Sequence, residues 1–507
     1  MTLKHRRIKK LLIANRGEIA IRVERACREL GIRSVAVYSD ADRTCLHVLM
    51  ADEAYPLHGV TAAETYLAQD KIIEAAKKAG VDAIHPGYGF LSENPVFAER
   101  LRNEGIIFVG PDAQAIRTLG DKTAARKLAA KLGIPTAAGV PDPLNDETQA
   151  LYFAEQIGFP VLLKAAAGGG GKGMRMVRSR EEMSASLRTA KSEAKSAFGD
   201  DRVYMEKYIQ HPKHVEIQIL ADQHGNTVYL GERECSIQRR HQKVIEESPS
   251  PIMNPEMRRA MGESAVRLAK EAGYTNAGTV EFLVDKDRQF YFLEVNTRLQ
   301  VEHPVTESVT GIDLVMQQIA IAEGRELTMR QETIQPHGHS IQCRIYAEDP
   351  ANDFFPSTGT LREYRLPQGP RVRVDNGFRP GDEISIYYDP LLAKVVTWAD
   401  TRTEAIKSME RALKEFLVAG VETTIPFCLS VLSHQAFLDG SFTTHFVEDH
   451  FAPSLLGTAD PAEESAAALA ASIIWNRKTN FSTSGENHSP GKQRSNWKEL
   501  RKETYRQ

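Results

Sequence analysis

Short apolar runs alternate with helical repeats in the N-terminal part of the chain. The runs have the length and composition of buried strands and fall at residues 11–14, 34–38, 81–85 and 106–109. Between the first two, residues 17–30 carry an apolar side chain every three to four positions, which predicts a helix. This alternation predicts a parallel sheet of the doubly wound α/β type. The segment contains no G-x-G-x-x-G fingerprint, which argues against a nicotinamide dinucleotide site.

The pattern changes to hairpins mixed with helices after about residue 120. Apolar runs at 161–164 and 174–177 flank a glycine tract, and runs at 280–284 and 290–295 flank the polar turn DKDR. Each pair of runs predicts two adjacent strands. After residue 338 the sequence predicts a separate α+β module, with strands at 340–346, 371–374 and 393–397 and a helix at 403–416.

The last part of the chain differs from the rest. Asp460, Pro461 and Glu463 occupy the N-cap, N1 and N3 positions typical of a helix start, and an alanine-rich run follows them. From about residue 479 the sequence is polar and poor in the apolar residues that a core needs. We expect residues 451–507 to form a helix followed by a polar, disordered tail.

Composition excludes several classes of function. The 507 residues carry a net charge of −3, with 42% hydrophobic and 26% charged residues, so no excess of positive charge favours nucleic acid or an anionic membrane. The sequence contains no apolar stretch near the roughly 18–20 residues of a membrane span. Its five scattered cysteines form no C-x-x-C pair, which argues against a zinc site or a disulfide framework. We therefore expect a cytoplasmic protein.

A glycine tract, AAAGGGGKG, occupies residues 165–173. Backbone without Cβ atoms can close over phosphates and present its N–H groups to them. The tract is not a P-loop, because Ala166 and Gly173 stand where the first Walker glycine and the magnesium-binding Ser or Thr would be. Taken alone, it fits a nucleotide lid and a flexible linker equally well.

Three polar residues interrupt the apolar hairpin VEFLVDKDRQFYFLEVN. Glu294 and Asn296 are two positions apart and face the same side of a strand, and strand pairing can bring Glu281 beside them. Two carboxylates and an amide oxygen are ligands suited to magnesium that is shared with phosphates. The alternative is an exposed acidic hairpin, but the strands are otherwise apolar, and a buried carboxylate without a cation is costly.

The same period of two continues through Arg298, Gln300 and Glu302. In an extended segment these side chains would follow Asn296 in file along one face. Such a row suits a small anionic substrate beside a metal, although a solvated edge strand would have a similar sequence.

Several longer segments now point to one family. They are HPGYGFLSEN at 85–94, MEKYI at 205–209, ERECSIQRRHQKVIEESPS at 232–250, EVNTRLQVEHPVTE at 294–307 and QCRIYAEDP at 342–350. These segments resemble the signature segments of biotin carboxylases, which belong to the ATP-grasp superfamily. The resemblance runs in order, at family spacing, from about residue 11 to about residue 446.

The resemblance implies a nucleotide site and a metal site. Lys122 and Lys164 match the lysines that hold the ATP phosphates, and Gly170 and Gly171 fall among the lid glycines. The residues that match the rest of the nucleotide pocket are Glu206, Lys207, Tyr208, Ile209, His214 and His241. Glu281, Glu294 and Asn296 match the site for Mg²⁺ or Mn²⁺.

The resemblance also implies the chemistry. Lys243, Arg298, Gln300 and Val301 match the bicarbonate site. Glu302 matches the base that deprotonates bicarbonate, a step that a positioned carboxylate can catalyse. Arg344 matches the arginine that stabilises the biotin enolate, and its permanent charge suits that task.

The organisation that follows from the resemblance has three domains and a tail. We expect an N-terminal α/β domain at 1–118, an ATP-grasp domain at 119–330 with a lid at about 136–205, a C-terminal α+β domain at 331–450, and the tail at 451–507. The expected partners are a biotin carboxyl carrier protein and carboxyltransferase subunits, in a homodimeric enzyme. No lysine lies between methionines as in an AMKM-like biotinylation site, so biotin is expected as a substrate on another chain.

Two rival functions are consistent with parts of the pattern. Another ATP-grasp ligase, such as a carbamoyl-phosphate or purine-pathway synthetase, would keep the lid and the metal hairpin but lack RRHQK, NTRLQVEHP and Arg344. A non-catalytic nucleotide-binding subunit would have little reason to keep the whole set of charged residues. The final carboxyl acceptor is not encoded in any of these segments.

Overall fold

The computed structural model describes residues 5–140, 142–166 and 174–456, together with Ser465 and residues 469–473. The chain divides into one unit that ends at Leu456 and a second that begins at Gly457. In the second unit, Ser465 and residues 469–473 are helical, and the rest of the predicted helix and tail lies outside the described residues. None of the described helices combines the length and apolarity of a membrane span.

A parallel sheet occupies the N-terminal segment. Its elements, in chain order, are β1 Lys10–Ile13, α1 Gly17–Glu29, β2 Arg33–Tyr38, α2 Leu46–Met50, β3 Glu53–Pro56, α3 Gln69–Ala79, β4 Ala83–His85, α4 Pro95–Asn103, β5 Ile107–Phe108 and α5 Ala113–Gly120. All strand pairs are parallel, in the order β3-β2-β1-β4-β5. Leu11 and Ile13 pack with α1 on one face and Leu12 packs with α3 on the other, because a parallel sheet is covered on both sides. The predicted doubly wound sheet is confirmed.

A smaller antiparallel sheet follows. The elements are α6 Lys122–Lys131, β6 Gly139–Val140, α7 Glu147–Ile157, β7 Val161–Ala165, β8 Met174–Val177, α8 Met183–Phe198 and β9 Val203–Lys207. The strands lie in the order β6-β9-β7-β8, and β7 pairs antiparallel with β8 as predicted. Residues 167–173, which join these two strands and include Gly170 and Gly171, lie outside the described residues.

The central part of the chain supplies most of a large antiparallel sheet. Its elements are β10 Lys213–Ala221, β11 Thr227–Arg239, β12 Gln242–Ser248, α9 Pro255–Glu271, β13 Asn276–Val284, β14 Phe290–Asn296, α10 His303–Thr310 and α11 Leu314–Ala322. Alternate residues of β10, Val215, Ile217 and Ile219, enter an apolar core with α9. The other residues of β10 are also buried, although several are charged or polar.

The C-terminal part of the first unit extends this sheet. Its elements are β15 His339–Tyr346, β16 Glu348–Asp349, β17 Phe355–Pro356, β18 Gly359–Thr360, β19 Glu363–Arg365, β20 Val372–Asn376, β21 Glu383–Ile384, β22 Leu391–Ala399, α12 Arg402–Glu415, β23 Leu417–Ala419, α13 Ile425–Ser433, α14 Gln435–Leu438 and α15 Phe446–His450. The eight strands are ordered β14-β13-β10-β11-β12-β15-β22-β20. The predicted α+β module therefore joins the preceding segment through a shared sheet, by the pairing of β12 with β15.

Candidate active site

A cleft of about 1590 Å³ opens over the large sheet. The carboxyl end of β1 and the start of α1 form one wall of the cleft, with β9, β12, β14 and β15 on other sides. Every site residue predicted from the sequence lines this cleft, apart from Gly170 and Gly171, which are outside the described residues. Residues from distant parts of the sequence thus meet in one place.

The hairpin of β13 and β14 brings the three predicted metal ligands together. Glu281 pairs directly with Glu294, and the strands slip by one residue just after this pair. The Asn296 side-chain amide donates to Glu281 Oε1 at 2.7 Å. The apolar residues of the hairpin, Phe282 and Phe292 among them, are buried in the core below and fix the strands in this register.

The chemistry of these groups fits a divalent cation. Glu281 is buried, and Lys243 Nζ lies 2.8 Å from its Oε1, while the ring atom Nε2 of His214 lies 2.8 Å from its Oε2. Lys122 Nζ lies 2.7 Å from Glu294 Oε2. Burial disfavours the charged form of Lys122, but Glu294 outweighs this effect and raises the pKa of the lysine. Hard oxygen ligands beside phosphate-binding lysines are the usual setting of Mg²⁺ in nucleotide sites.

Lys243 lies at the centre of a cluster of carboxylates. Its Nζ is 2.6 Å from Glu216 Oε2, 2.8 Å from Glu281 Oε1 and 2.8 Å from Glu302 Oε1. Burial alone would lower the pKa of Lys243, but the three carboxylates raise it well above its usual value. His214, Glu216 and Glu281 lie close enough together to bind a metal ion, yet this ammonium group already provides the cation that two of them need.

Glu302 is held between two cations at the end of β12 and β15. Besides Lys243, it contacts Arg344, whose NH2 group donates to Oε2 at 2.9 Å. Burial alone would raise the pKa of Glu302, but Lys243, Arg344 and Arg233 outweigh it and hold the pKa well below the usual value. The carboxylate is fully buried and ionised, immediately before the first residue of α10.

The predicted file of polar residues is present, but not as a strand. β14 ends at Asn296, and Arg298, Gln300 and Glu302 lie in the connection to α10. Hydrogen bonds preserve their order, because Arg298 donates to Asn296 Oδ1 at 3.2 Å and to Gln300 Oε1 at 2.9 Å. The guanidinium of Arg298 is also fixed by Glu93, at 3.0 Å from its Nε. Val301 also lines the cleft.

The other end of the cleft contains the residues assigned to the nucleotide. Glu206 on β9 pairs with both Lys164 and Arg126, and these cations lower its pKa despite its burial. The Lys207 ammonium donates hydrogen bonds to the carbonyl oxygens of Gly158 at 2.9 Å and Phe159 at 3.0 Å. These backbone groups hold the ammonium in place.

The remaining residues that were predicted for the nucleotide pocket also line the cleft. The Tyr208 hydroxyl and His445 Nε2 are 2.8 Å apart, and Ile209 follows at the cleft. His214 Nδ1 lies 2.9 Å from the side-chain nitrogen of Gln238. His241 adopts φ = +66° in the tight turn between β11 and β12, and burial lowers its pKa.

Several charged residues around the predicted site were missed from the sequence, among them Arg126, which pairs with Glu206. Glu216 contacts Lys243, and Glu246 contacts Arg344. Arg233 pairs with Glu216, and Glu93 pairs with Arg298. The signal for Glu216 was its place two residues after His214, on the polar face of β10. Glu93 and Glu246 were within the segments that carried the family resemblance.

Comparisons with known proteins agree along the chain. Family models match at residues 7–116 (biotin carboxylase, N-terminal domain), 121–330 (carbamoyl-phosphate synthase L chain, ATP binding domain) and 342–449 (biotin carboxylase C-terminal domain). The chain is 52% identical over 444 residues to biotin carboxylase 1 of Bacillus subtilis, which covers 87% of this chain and 99% of that protein. It is 47% identical over 504 residues to the propionyl-CoA carboxylase alpha chain of Ruegeria pomeroyi, covering 94% of this chain and 74% of that protein.

Solved structures give the same result. The biotin carboxylase domain dimer of Hydrogenobacter thermophilus 2-oxoglutarate carboxylase, in complex with MgADP, ADP and bicarbonate, matches with a TM-score of 0.87 and 47% identity, covering 90% of this chain and 100% of that one. The biotin carboxylase–ATP complex of Campylobacter jejuni matches with a TM-score of 0.86 and 45% identity, covering 88% and 99%. The chain belongs to the biotin carboxylase family of the ATP-grasp superfamily, ATP-dependent ligases that use bicarbonate in the first half-reaction of biotin-dependent carboxylases.

Proposed function

We propose that Glu302 is the general base for bicarbonate and that Lys243, Arg298, Gln300 and Val301 hold the anion beside it. The observation that carries this proposal is the position of Glu302, fully buried between Lys243 and Arg344 at the end of the cleft. Cations on both sides can fix an anion and keep the base ionised. A proton then passes from bicarbonate to Glu302 as a bicarbonate oxygen attacks the γ-phosphorus of ATP and the bond to ADP breaks.

The basicity of Glu302 depends on its neighbours. Its pKa is low, since Lys243 and Arg344 both pair with it. An anion that attracts these two cations away from Glu302 weakens both pairs and raises the pKa of the carboxyl group. Substrate binding thus turns a weak base into a stronger one.

We assign the ATP phosphates to Lys122 and Lys164, with Gly170 and Gly171 as lid glycines. Lys164 pairs with Glu206 and Lys122 pairs with Glu294, and both lysines line the cleft. We assign the adenine end to Glu206, Lys207, Tyr208, Ile209, His214 and His241. Glu281, Glu294 and Asn296 would hold Mg²⁺ or Mn²⁺, which, when bound, neutralises charge on the transferring phosphoryl group.

Arg344 is proposed to act on the second substrate, biotin. Its side chain is buried at the cleft and retains its charge at any working pH, since neighbouring carboxylates raise its pKa well above the ordinary value. A fixed cation stabilises the negative charge that develops on the ureido oxygen when biotin loses its N–H proton. In this step carboxyphosphate breaks into carbon dioxide and phosphate, the phosphate takes the N–H proton of biotin, and the ureido nitrogen of the resulting enolate attacks carbon dioxide.

The experiment that tests these assignments measures ATP hydrolysis by the purified chain. We expect slow hydrolysis that accelerates when free biotin and bicarbonate are both present. Turnover that is independent of bicarbonate and unchanged by biotin would contradict the proposal and favour a different ATP-grasp reaction.

We propose that the carboxyl group is transferred to biotin on a separate carrier protein. The support is that no lysine in this sequence lies between methionines, as an AMKM-like site requires. A biotin carboxyl carrier protein and carboxyltransferase subunits are the proposed partners. Co-expression with a biotin ligase and an avidin blot provide the test, because a biotin signal on this chain would overturn the separate-carrier assignment.

We also propose a homodimer in the cytoplasm, with domain boundaries at 1–118, 119–330 and 331–450. The dimer is supported by the Hydrogenobacter domain, which is described as a dimer, and the boundaries by the three family matches. Relatives include mitochondrial propionyl-CoA carboxylase alpha chains, so fractionation of the source cells is the test of location. Light scattering of the purified chain tests the dimer.

A further inference from the structure

Arg344 lies between two buried carboxylates, of which the proposed reaction uses only one. Its NH2 group contacts Glu302, and its Nε donates to Glu246 Oε1 on the neighbouring strand β12. Glu246 is fully buried. Its second oxygen accepts a hydrogen bond from Gln342 Nε2 at 3.0 Å, across the β12–β15 pair. Glu246 therefore has a fixed position and a direct contact with the guanidinium.

The proposed mechanism creates a need for this second carboxylate. When Glu302 accepts the proton of bicarbonate, it loses its charge and most of its attraction for Arg344. A buried arginine with no ionised partner is costly and would shift towards another acceptor. Arg344 must nevertheless stay in place for the following step, in which negative charge develops on biotin.

We propose that Glu246 is a positioning residue that anchors Arg344 while Glu302 is protonated. The inference rests on the proposed function of Glu302 and Arg344 and extends it by one residue. Glu246 binds the Nε edge of the guanidinium and leaves the other edge to Glu302 and the substrate. The two carboxylates thus divide the tasks of holding the arginine and moving the proton.

The electrostatics of the pair support this division. Burial raises the pKa of Glu246 to about 7, Arg344 opposes this rise, and the negative charge of Glu302 adds to it. Protonation of Glu302 removes that repulsion, so the pKa of Glu246 falls and its ionised form is favoured. Glu246 is therefore most fully ionised when Glu302 is protonated, which is when the other carboxylate that pairs with Arg344 carries no charge.

The test compares two substitutions on one strand. Glu246→Gln removes the charge but keeps a group of the same shape. Its amide can donate to Gln342 Oε1, which has no hydrogen-bond partner among the described residues, once the Gln342 amide is flipped. Glu247→Gln is the matched control, because Glu247 is equally buried but faces the opposite way, towards Arg402 and His339.

The measurements are kcat/KM for free biotin and the bicarbonate-dependent ATP hydrolysis without biotin. We expect Glu246→Gln to lower kcat/KM for biotin by about tenfold to a hundredfold relative to its effect on the biotin-independent rate, as expected for a misplaced catalytic group. A merely structural role would lower both rates together. Glu247→Gln should lower the melting temperature and leave the ratio of the two rates as it is in the unchanged chain.

Three results would overturn the inference. An unchanged ratio in Glu246→Gln would show that Glu302 or the substrate suffices to hold Arg344. The same fall in both variants would reduce Glu246 to a part of the fold. Absence of biotin stimulation in the unchanged chain would overturn the proposed function and this inference with it, whereas an effect confined to Glu246→Gln supports both.

Discussion

The parallel sheet and the eight-stranded sheet are both buried, but by different residues. The centre of β1 consists of Leu11, Leu12 and Ile13, which pack into two apolar clusters on its two faces. The centre of the large sheet contains Glu216 and Arg233, whose side chains are fully buried and paired with each other. Apolar side chains bury both faces of β1, whereas β10 buries apolar side chains towards α9 and a paired carboxylate, Glu216, among its alternate residues.

The difference separates stability from chemistry. Apolar contacts are non-directional and tolerate exchange of side chains, so they hold the fold without fixing any single atom. A buried ion pair is costly to desolvate and is a weak source of stability, but it fixes the position and the protonation state of its members. Substitutions in the first region should therefore lower the stability of the fold, and substitutions in the second should lower activity first.

Glu302→Gln is the largest expected effect on chemistry. The amide keeps the shape of the carboxylate but cannot accept the bicarbonate proton, so kcat should fall by about 10²–10⁴-fold, the usual contribution of a general base. The melting temperature should also fall, because Lys243 and Arg344 each lose an ion pair with a buried carboxylate. A fall of less than tenfold in the single-turnover rate of bicarbonate-dependent ADP formation would contradict the base assignment.

Leu12→Ala tests the contribution of the apolar region to the stability of the fold. Leu12 is fully buried in β1, so the substitution should lower the free energy of unfolding by about 2–5 kcal/mol, measured by chemical denaturation. The KM values for ATP and bicarbonate should be unchanged in the folded fraction. Leu49→Ala on α2 is the control, since Leu49 is 55% exposed and should cost little. An altered KM at full folding would mean that the two regions are not independent.

Glu24 is a buried carboxylate inside the apolar region, and its effect on stability depends on pH. It is buried in α1, and neither carboxylate oxygen has a hydrogen-bond partner among the described residues. Burial raises its pKa from 4.5 to about 8, and Asp52 adds to the rise while Arg28 opposes it. The folded state therefore binds this proton more tightly than the unfolded state, so the contribution of Glu24 to stability is greatest below pH 4.5 and is lost as the pH rises through about 8.

Glu24→Leu should remove that loss. At pH 8 to 9 we expect a gain of roughly 1–4 kcal/mol in the free energy of unfolding, and a smaller gain at pH 5. Denaturation curves across this range give the measurement. A gain that is the same at every pH would show that Glu24 does not titrate in the folded protein.

The same contrast explains what the sequence could predict. Apolar runs predicted β1, β2, β7, β8, β13 and β14, because these strands consist mainly of hydrophobic residues. The pattern did not mark β10 or β12, whose burial depends on partners such as Arg233 for Glu216 that are distant in sequence. It also did not mark β3, where alternate residues are only partly buried. Pairing of charges is a tertiary property, and only the resemblance to a family gave access to it.

The prediction for the candidate site followed the same limits. Period-two spacing placed Glu294 and Asn296 on one side, and the pairing of Glu281 with Glu294 is as expected. Beyond Asn296 the spacing predicted an extended strand with Arg298, Gln300 and Glu302 on one face. These residues do lie in file, but the strand ends at Asn296, and hydrogen bonds from Arg298 to Asn296 and Gln300 keep the side chains in order. Glu246 carries no local signal of its contact with Arg344, because that contact depends on the register of β12 with β15.

The smallest predicted effect is that of a substitution at Glu294, a partly exposed member of the charged region. Glu294 and Lys122 form a pair at 2.7 Å whose side chains are 25% and 24% exposed, so the pair adds little to stability. If Glu294 is a metal ligand, Glu294→Gln should raise the Mg²⁺ concentration for half-maximal activity by about tenfold and leave the melting temperature nearly unchanged. Asp287→Asn is the matched control, since it removes one acidic charge from the exposed turn of the same hairpin. Equal Mg²⁺ requirements in the two variants would exclude Glu294 from the metal site, because a general loss of negative charge would then account for both.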